Sequence, residues 1–218
     1  MAKGPRSSAS IDRRRGVTAD VTAAQGAEAL VDASGAVDVL VNNLGIFGST
    51  PALEIDDDEW RRLFAVNVLN AARLTRLVLP GMTGRGWGRV PNIASDSAIV
   101  IPKDMIHYGA LKSALLAMSR RYAKAASGTG VTVNSVIAGL TDTEGVEDFV
   151  YELVDRPLDC DAAQREFMRT ARPQSPIGRL IEPAEIANMV VYLASPLAST
   201  TAGGALRVDG GYVDSILP

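Results

Sequence analysis

The hydrophobic pattern of the chain alternates between short apolar runs and longer segments with apolar residues at helical spacing. Three runs have the length and β-branched content typical of strands, namely 37–43 (VDVLVNN), 89–95 (RVPNIAS) and 131–137 (VTVNSVI). Residues 17–21 (VTADV) and 205–211 (ALRVDGG) are predicted as shorter strands. The almost continuous apolar run at 37–43 is typical of a strand in a parallel sheet that is covered on both faces.

Helical spacing predicts four helices between these strands, over residues 22–33, 52–79 (with room for a break near its start), 106–126 and 182–195. The first ends before a glycine, and the second begins with a cluster of acidic residues, which is favourable at the positive end of a helix dipole. The fourth has a proline in its first turn, where proline is tolerated. The glycine-rich stretch 81–88 is predicted to be a loop.

Strands that alternate with helices indicate βαβ units and a parallel α/β sheet. The 218 residues, of which 47% are hydrophobic and 22% charged, suit one globular domain. We therefore predict a flexible N-terminal arm over residues 1–16 and a single domain over 17–218. Residues 143–172 are rich in acidic and amide side chains and are predicted to form a mobile lid.

Charge and composition exclude several classes of partner. A net charge of −3 gives no basic footprint for nucleic acid, and no apolar run reaches the roughly 18 residues of a membrane span. The single cysteine, Cys160, excludes an intramolecular disulfide framework and is compatible with a reducing cytoplasm. We expect a cytoplasmic protein with no metal site.

One candidate for chemistry is the pair formed by Tyr108 and Lys112. Because they are four residues apart in a predicted helix, their Cβ atoms would lie about 5–6 Å apart on one face. An ammonium held beside a phenol favours the phenolate and lowers the tyrosine pKa from its usual value of about 10, which suits acid–base catalysis. The same spacing more often joins a half-buried tyrosine to a solvated lysine, so the neighbouring motifs must decide.

Several separated motifs together resemble the short-chain dehydrogenase/reductase superfamily. The resemblance runs from about residue 17 to residue 211 and includes the C-terminal segment from PIGRL to VDGG. The motifs before that segment are VNNLG (41–45), NVLN (67–70), a serine 13 residues before the tyrosine, YGALK (108–112) and NSVIAG (134–139). The resemblance implies a Rossmann-like, doubly wound parallel sheet.

The resemblance also implies hydride transfer between NAD(P)(H) and a carbonyl or alcohol. Tyr108 would be the acid–base, and Lys112 would hold the tyrosine pKa down and bind the nicotinamide ribose. Ser95 would donate a hydrogen bond to the reacting oxygen, where negative charge develops. Asn67 would position a water that connects Lys112 to solvent. The structural alternatives are a strand-end turn residue for Ser95 and a helix residue bonded only to backbone for Asn67.

Further residues would hold the cofactor, by the same resemblance. Asp20 would lie near the adenine, and Asn42 and Gly45 near the adenosine ribose, where a glycine permits close backbone contact. Ile137 and Thr141 would contact the nicotinamide carboxamide, next to Tyr108 and Lys112. The choice between NAD and NADP stays open.

The sequence departs from the family pattern at its N-terminal side. No glycine-rich turn that could bind pyrophosphate at a helix N-terminus precedes residue 17, so by this resemblance we expect a chain that is N-terminally truncated relative to the family, without its first strand–helix–strand unit. The strand 37–43 would then have an open edge. We expect either residues 17–21 or a partner chain to cover it. Pro91 also falls in a predicted strand, where it cannot donate a hydrogen bond.

Two functional hypotheses follow. The first is an oxidoreductase for a small carbonyl or alcohol; the resemblance slightly favours a 3-oxoacyl thioester or a similar small carbonyl, with sugar and steroid alcohols left open. The second is a catalytically impaired family member, a pseudoenzyme that oligomerises or binds a ligand. In both cases a homodimer or homotetramer is expected, formed through the helices at 55–79 and 106–126.

Overall fold

A parallel three-stranded sheet forms the centre of the protein. The computed structural model describes residues 15–143, 145–146, 150 and 160–216, so the predicted arm up to residue 14 and much of the predicted lid lie outside the described residues. Strands β1 (Gly88–Ser95), β2 (Val131–Ala138) and β3 (Ala205–Val208) pair in the order β1-β2-β3. These strands and the parallel α/β class confirm the prediction.

Six α-helices flank or extend this sheet among the described residues: α1 (Ala24–Ser34), α2 (Asp57–Phe64), α3 (Asn70–Arg85), α4 (Ile106–Ala125), α5 (Cys160–Ala171) and α6 (Pro183–Ala194). A π-helical turn (Ala65–Leu69) joins α2 to α3. Short 3₁₀ turns follow β1 and α6, at Asp96–Ala98 and Pro196–Ala198.

Helices cover both faces of the sheet. On one face, Val90 and Val133 pack with Val78 and Met82 of α3. On the other face, Val136 packs against residues of α6 and of the segments beside it: Ile181, Ile186, Leu193 and Ala198. Successive strand residues point to opposite faces, and nearly every residue of β1 and β2 is buried, polar residues such as Asn92 and Asn134 included. This arrangement leaves the carboxyl ends of the strands free to form a site.

The structure corrects one predicted helix and adds another. The helix predicted over 52–79 is divided into α2 and α3 and continues through the predicted glycine-rich loop as far as Arg85, ending at Gly86 with φ +74°. Met82 lies in this last turn and is fully buried in the core, so its packing outweighs the weak helix propensity of the glycines. In the predicted lid, α5 was missed; it buries Ala163, Phe167 and Met168 as one apolar face.

The predicted strand 17–21 is also wrong. Residues 15–20 form no regular structure, and the side chain of Asp20 accepts hydrogen bonds from the N–H (3.0 Å) and hydroxyl (2.6 Å) of Thr22. This turn leads into α1, and Arg73 of α3 donates to the Thr22 carbonyl at 2.8 Å. Within the described part of the chain, residues 17–21 make no backbone hydrogen bond to 37–43. They do not cover the edge.

Residues 37–43 lie parallel to β1 but meet it only through isolated bridges, Val39 with Arg89 and Asn42 with Asn92. The ladder is interrupted because Pro91, between these bridges, has no N–H to donate.

Candidate active site

A cavity of about 560 Å³ opens at the carboxyl ends of β1 and β2. The residues that line it come from six segments: the loop after residue 42, the end of β1 with its 3₁₀ turn, the start of α4 with the loop before it, the loop after β2, the end of α5, and the turn after β3. They include most of the predicted site, namely Gly45, Ser95, Tyr108, Lys112 and Thr141. Ligands bind open α/β sheets at this same edge.

The structure brings Ser95 and Tyr108 together in the wall of this cavity. Ser95 is the last residue of β1, and its hydroxyl oxygen accepts a hydrogen bond from the Ser97 N–H at 3.1 Å. Tyr108 lies in the first turn of α4, because that helix begins at Ile106. The strand end and the helix start therefore fix the two hydroxyl groups on one side of the cavity.

The expected direction of the tyrosine pKa was wrong for this chain without a bound cofactor. Burial raises the pKa of Tyr108 to about 12, and the negative charge of Asp96 adds to the increase, while hydrogen bonding with Ser95 partly opposes it. The charge of Lys112 is not the main influence on the Tyr108 pKa, since the Lys112 Nζ lies 5.5 Å from the centre of the tyrosine ring. Desolvation therefore outweighs the attraction to the ammonium, and Tyr108 is a neutral phenol near pH 7.

Lys112 is buried in the same cavity wall, with 5% of its surface exposed. Its Nζ donates a hydrogen bond to the Ile93 carbonyl at 3.0 Å, and burial lowers the pKa of Lys112 to about 8. Its ammonium has three N–H donors, of which this bond uses one. The remaining donors are available to a ligand in the cavity.

Asn67 lies in the π-helical turn, an element that often marks functional positions. Its amide nitrogen donates to the carbonyls of Ile46 (2.9 Å) and Leu63 (3.1 Å), whereas its Oδ1 is buried and has no hydrogen-bond partner among the described residues. A Cβ atom on Gly45 would lie 3.0 Å from this oxygen and 3.3 Å from the Lys112 Nζ. Glycine therefore keeps open the space in which the two polar atoms converge.

The predicted cofactor residues divide into two groups. Gly45, Tyr108, Lys112 and Thr141 line the cavity. The other three do not: Asp20, Asn42 and Ile137. Asp20 is exposed, and Ile137 is fully buried in the core.

Asn42 points into the protein instead of the cavity. Its amide nitrogen donates to the Asn92 side chain at 2.7 Å and to the Thr75 hydroxyl at 3.2 Å. The residue is 6% exposed, so its side chain attaches the 37–43 segment to β1 and α3. The adjacent Asn43 lines the cavity instead.

Among the cavity residues that sequence reasoning did not identify are Asp96, Arg172 and Tyr212. Arg172 forms a salt bridge with Asp96, and its guanidinium carbon lies 4.0 Å from the centre of the Tyr212 ring. The only available sequence signal was the position of Asp96 beside Ser95. The partners are 76 and 40 residues apart along the chain, so no local pattern joins them.

Comparison with known proteins identifies the family. A family profile described as enoyl-(acyl carrier protein) reductase matches residues 5–213. The uncharacterized oxidoreductase YvaG of Bacillus subtilis is 46% identical over 90% of this chain and 75% of its own length. Galactitol 2-dehydrogenase (L-tagatose-forming) of Cereibacter sphaeroides is 36% identical over 90% of this chain and 74% of its own.

The fold agrees with a solved structure. L-sorbose reductase of Gluconobacter frateurii, in complex with NADPH and L-sorbose, aligns with a TM-score of 0.86 at 30% identity, covering 92% of this chain and 77% of the other. The chain belongs to the short-chain dehydrogenase/reductase superfamily, and it is an oxidoreductase of the NAD(P)-dependent type. The resemblance inferred from the motifs is confirmed.

The described residues fit the nicotinamide end of such a cofactor. The buried Asn67 oxygen without a partner, the free donors of Lys112 and the space above Gly45 all face one region. Among the described residues, no group of histidine, cysteine and carboxylate side chains could hold a metal ion. No helix in the described part of the chain is long and apolar enough to cross a membrane.

Proposed function

We propose that this protein interconverts a small carbonyl compound and its alcohol, with Asn67, Ser95, Tyr108 and Lys112 as the catalytic set. The observation that supports this most is the convergence of these side chains from three elements: Ser95, Tyr108 and Lys112 line one cavity, and the Asn67 oxygen meets the Lys112 Nζ beside Gly45. NAD(P)(H), when bound, supplies or accepts the hydride. Gly45, Tyr108, Lys112 and Thr141 would hold its nicotinamide end.

The protein's own groups would handle the proton. Tyr108, neutral near pH 7, can donate its phenolic proton to the carbonyl oxygen during reduction. Lys112, with a pKa of about 8, is mainly charged at that pH and stabilises the resulting phenolate. A water between the Asn67 oxygen and Lys112 would return the proton from solvent.

Two substrate classes have support. The family profile points to acyl thioesters, as the resemblance does, whereas galactitol 2-dehydrogenase and L-sorbose reductase point to sugars. Outside the buried Asp96–Arg172 pair, the cavity wall carries the polar side chains Ser49 and Asp104. These can exchange hydrogen bonds with hydroxyl groups, so we favour a small polyhydroxy ketone. Reduction of L-sorbose compared with an acetoacetyl thioester, each with NADH and NADPH, separates the two classes.

Cofactor binding is the first test of this function. Titration of the protein with NADH and NADPH, followed by nicotinamide fluorescence, should give micromolar affinity for at least one of them. Affinity in the millimolar range or weaker for both would remove the enzyme hypothesis for this chain.

Tyr108→Phe is the test of the mechanism. Removal of the phenolic proton should lower turnover by at least about a hundredfold and leave cofactor affinity nearly unchanged, because general acid catalysis contributes on that scale. The control is Tyr122→Phe in the same helix, where the hydroxyl bonds only to the Ala72 carbonyl at 3.1 Å and lies outside the cavity. Retained activity in Tyr108→Phe would refute the assigned role.

A second candidate function is that of a non-catalytic, self-associating protein, which the exposed outer edge of residues 37–43 favours. Val41 is 43% exposed on this edge. A lysine there should dissociate an assembly formed through edge pairing, because charged residues block strand addition. Light scattering on Val41→Lys, with Val191→Lys on α6 as the exposed control, tests this. A homodimer or homotetramer that persists in both variants would favour the helix-mediated association expected of a cytoplasmic family member.

A further inference from the structure

We propose that Asp96 and Arg172 form a positioning pair that sets the orientation of the Ser95 hydroxyl and holds the end of α5 against the catalytic centre. The inference rests on the proposed function of the Ser95–Tyr108 site, and it adds two residues that the family motifs do not contain. Neither residue was part of the predicted site.

Asp96 connects the catalytic serine to the rest of the pair. It is 2% exposed, and both of its carboxylate oxygens are engaged. Oδ1 accepts a hydrogen bond from the Ser95 hydroxyl at 3.2 Å, and Oδ2 accepts one from Nη1 of Arg172. A buried carboxylate without such partners would be costly, so the pair is structurally coupled.

The consequence for Ser95 concerns its single proton. A hydroxyl group donates one hydrogen bond and can accept two. Ser95 donates to Asp96 and accepts from the Ser97 N–H, so its one proton is committed to Asp96 and not to the Tyr108 oxygen, where a donated hydrogen bond would favour the phenolate. Asp96 thereby competes with Tyr108 and with a substrate for the Ser95 proton.

Arg172 connects Asp96 to elements that are distant from it in sequence. It immediately follows α5 and is only 11% exposed at its side chain. Its guanidinium group stacks on the Tyr212 ring while it pairs with Asp96. One side chain therefore joins the end of α5, the turn after β3 and the residue next to Ser95. Lysine could supply the charge but not the planar stack on Tyr212.

The electrostatic effect of the pair can be measured at Tyr108. The other titratable groups that line this cavity are Lys103, Asp104, Lys112 and Tyr212. Asp104 is a matched comparison, because it is also a carboxylate in the cavity wall and has a lysine within 3.7 Å. Since Asp96 contacts Ser95 directly, its charge should affect Tyr108 more strongly than the charge of Asp104.

The experiment is a pH titration of the protein labelled with [¹³Cζ]tyrosine, with the Tyr108 resonance assigned through Tyr108→Phe. Asp96→Asn should lower the Tyr108 pKa from about 12 by about one pH unit, and Asp104→Asn should lower it by much less. Arg172→Met should raise it, and Arg172→Lys should restore the wild-type value. Equal effects of Asp96→Asn and Asp104→Asn would overturn the proposal.

Hydrogen exchange of α5 provides a second readout. Asp96→Asn and Arg172→Met should each increase exchange in the α5 peptides at least about tenfold, and Asp104→Asn should not. If Asp96→Asn fails to fold, Arg172→Met decides, and unchanged α5 exchange and tyrosine pKa in that variant would refute the positioning role. Neither measurement needs cofactor or substrate, so a negative cofactor titration leaves the test intact.

Discussion

The two edges of β1 differ sharply, although both face a parallel neighbour. On one side, β1 pairs with β2 over its whole length, from Gly88 opposite Val131 to Ser95 opposite Ala138. On the other side, residues 37–43 meet β1 only at two bridges. β1 therefore has one edge that is paired along its whole length and one edge that is paired only in part.

The segments on the two sides of β1 are stabilised by different interactions. We call β2 the paired flank and residues 37–43 the open flank. The paired flank is stabilised by apolar packing, with Val133, Val136 and Ile137 fully buried. The open flank depends on a polar network, in which Asn42 donates to Asn92 and Asn92 donates to the Ser119 hydroxyl at 2.9 Å. The proposed catalytic groups draw on both sides of β1: Ser95 ends β1 itself, and Asn67 donates to the Ile46 carbonyl in the loop that follows residues 37–43.

The largest expected effect concerns Lys112, the buried cation of the proposed site. The variant that tests it is Lys112→Met. Burial lowers the pKa of Lys112 from 10.5 to about 8, a difference that corresponds to about 3 kcal/mol. Between these pH values the unfolded state binds more protons than the folded state, so wild-type stability should rise as pH increases from 8 to 10.5. Below about pH 8 this contribution is constant.

The measurement is urea denaturation at several pH values between 7 and 10.5, on the wild type and on Lys112→Met. The unfolding free energy of the wild type relative to Lys112→Met should rise as the pH increases from 8 to 10.5. Lys124→Met, at the exposed end of α4, is the control and should show no such dependence. A flat difference for Lys112→Met would contradict the burial of a charged ammonium.

A matched pair of valine substitutions measures the two flanks directly. Val136→Ala, at a fully buried position in β2, should cost about 2–3 kcal/mol of unfolding free energy, since it leaves a cavity in the core. Val41→Ala, on the open edge at 43% exposure, should cost less than about 1 kcal/mol. Equal losses in chemical denaturation would mean that the edge is covered in solution.

The smallest effect concerns individual amide protons on the open flank. The N–H groups of Leu40 and Asn42 donate to β1 carbonyls at 2.9 and 3.0 Å, whereas those of Val39 and Val41 have no partner among the described residues. Exchange measured by NMR should therefore alternate, at least about tenfold slower at the even positions. Uniform protection would indicate a strand on the outer edge, and uniformly fast exchange would contradict the pairing with β1.

Much of the fold could be predicted because it depends on local periodicity. The central strands and α4 were found close to their true ends, since apolar spacing and flanking glycines specify them. The extension of α3 could not be predicted, because it depends on Met82 packing against β1 and β2. The missed α5 has a comparable explanation, since its apolar face packs against Leu180, which is distant in sequence.

The candidate site divides in the same way. The sequence by itself determined that a serine, a tyrosine and a lysine stand at fixed separations on a strand end and the following helix, because one βα unit contains all three. Only the tertiary structure decided how those groups ionise and which side chains face them. Burial sets the Tyr108 and Lys112 pKa values, and Arg172 reaches Asp96 from 76 residues away. Desolvation and long-range pairing depend on the whole packed fold, and no local pattern of residues encodes them.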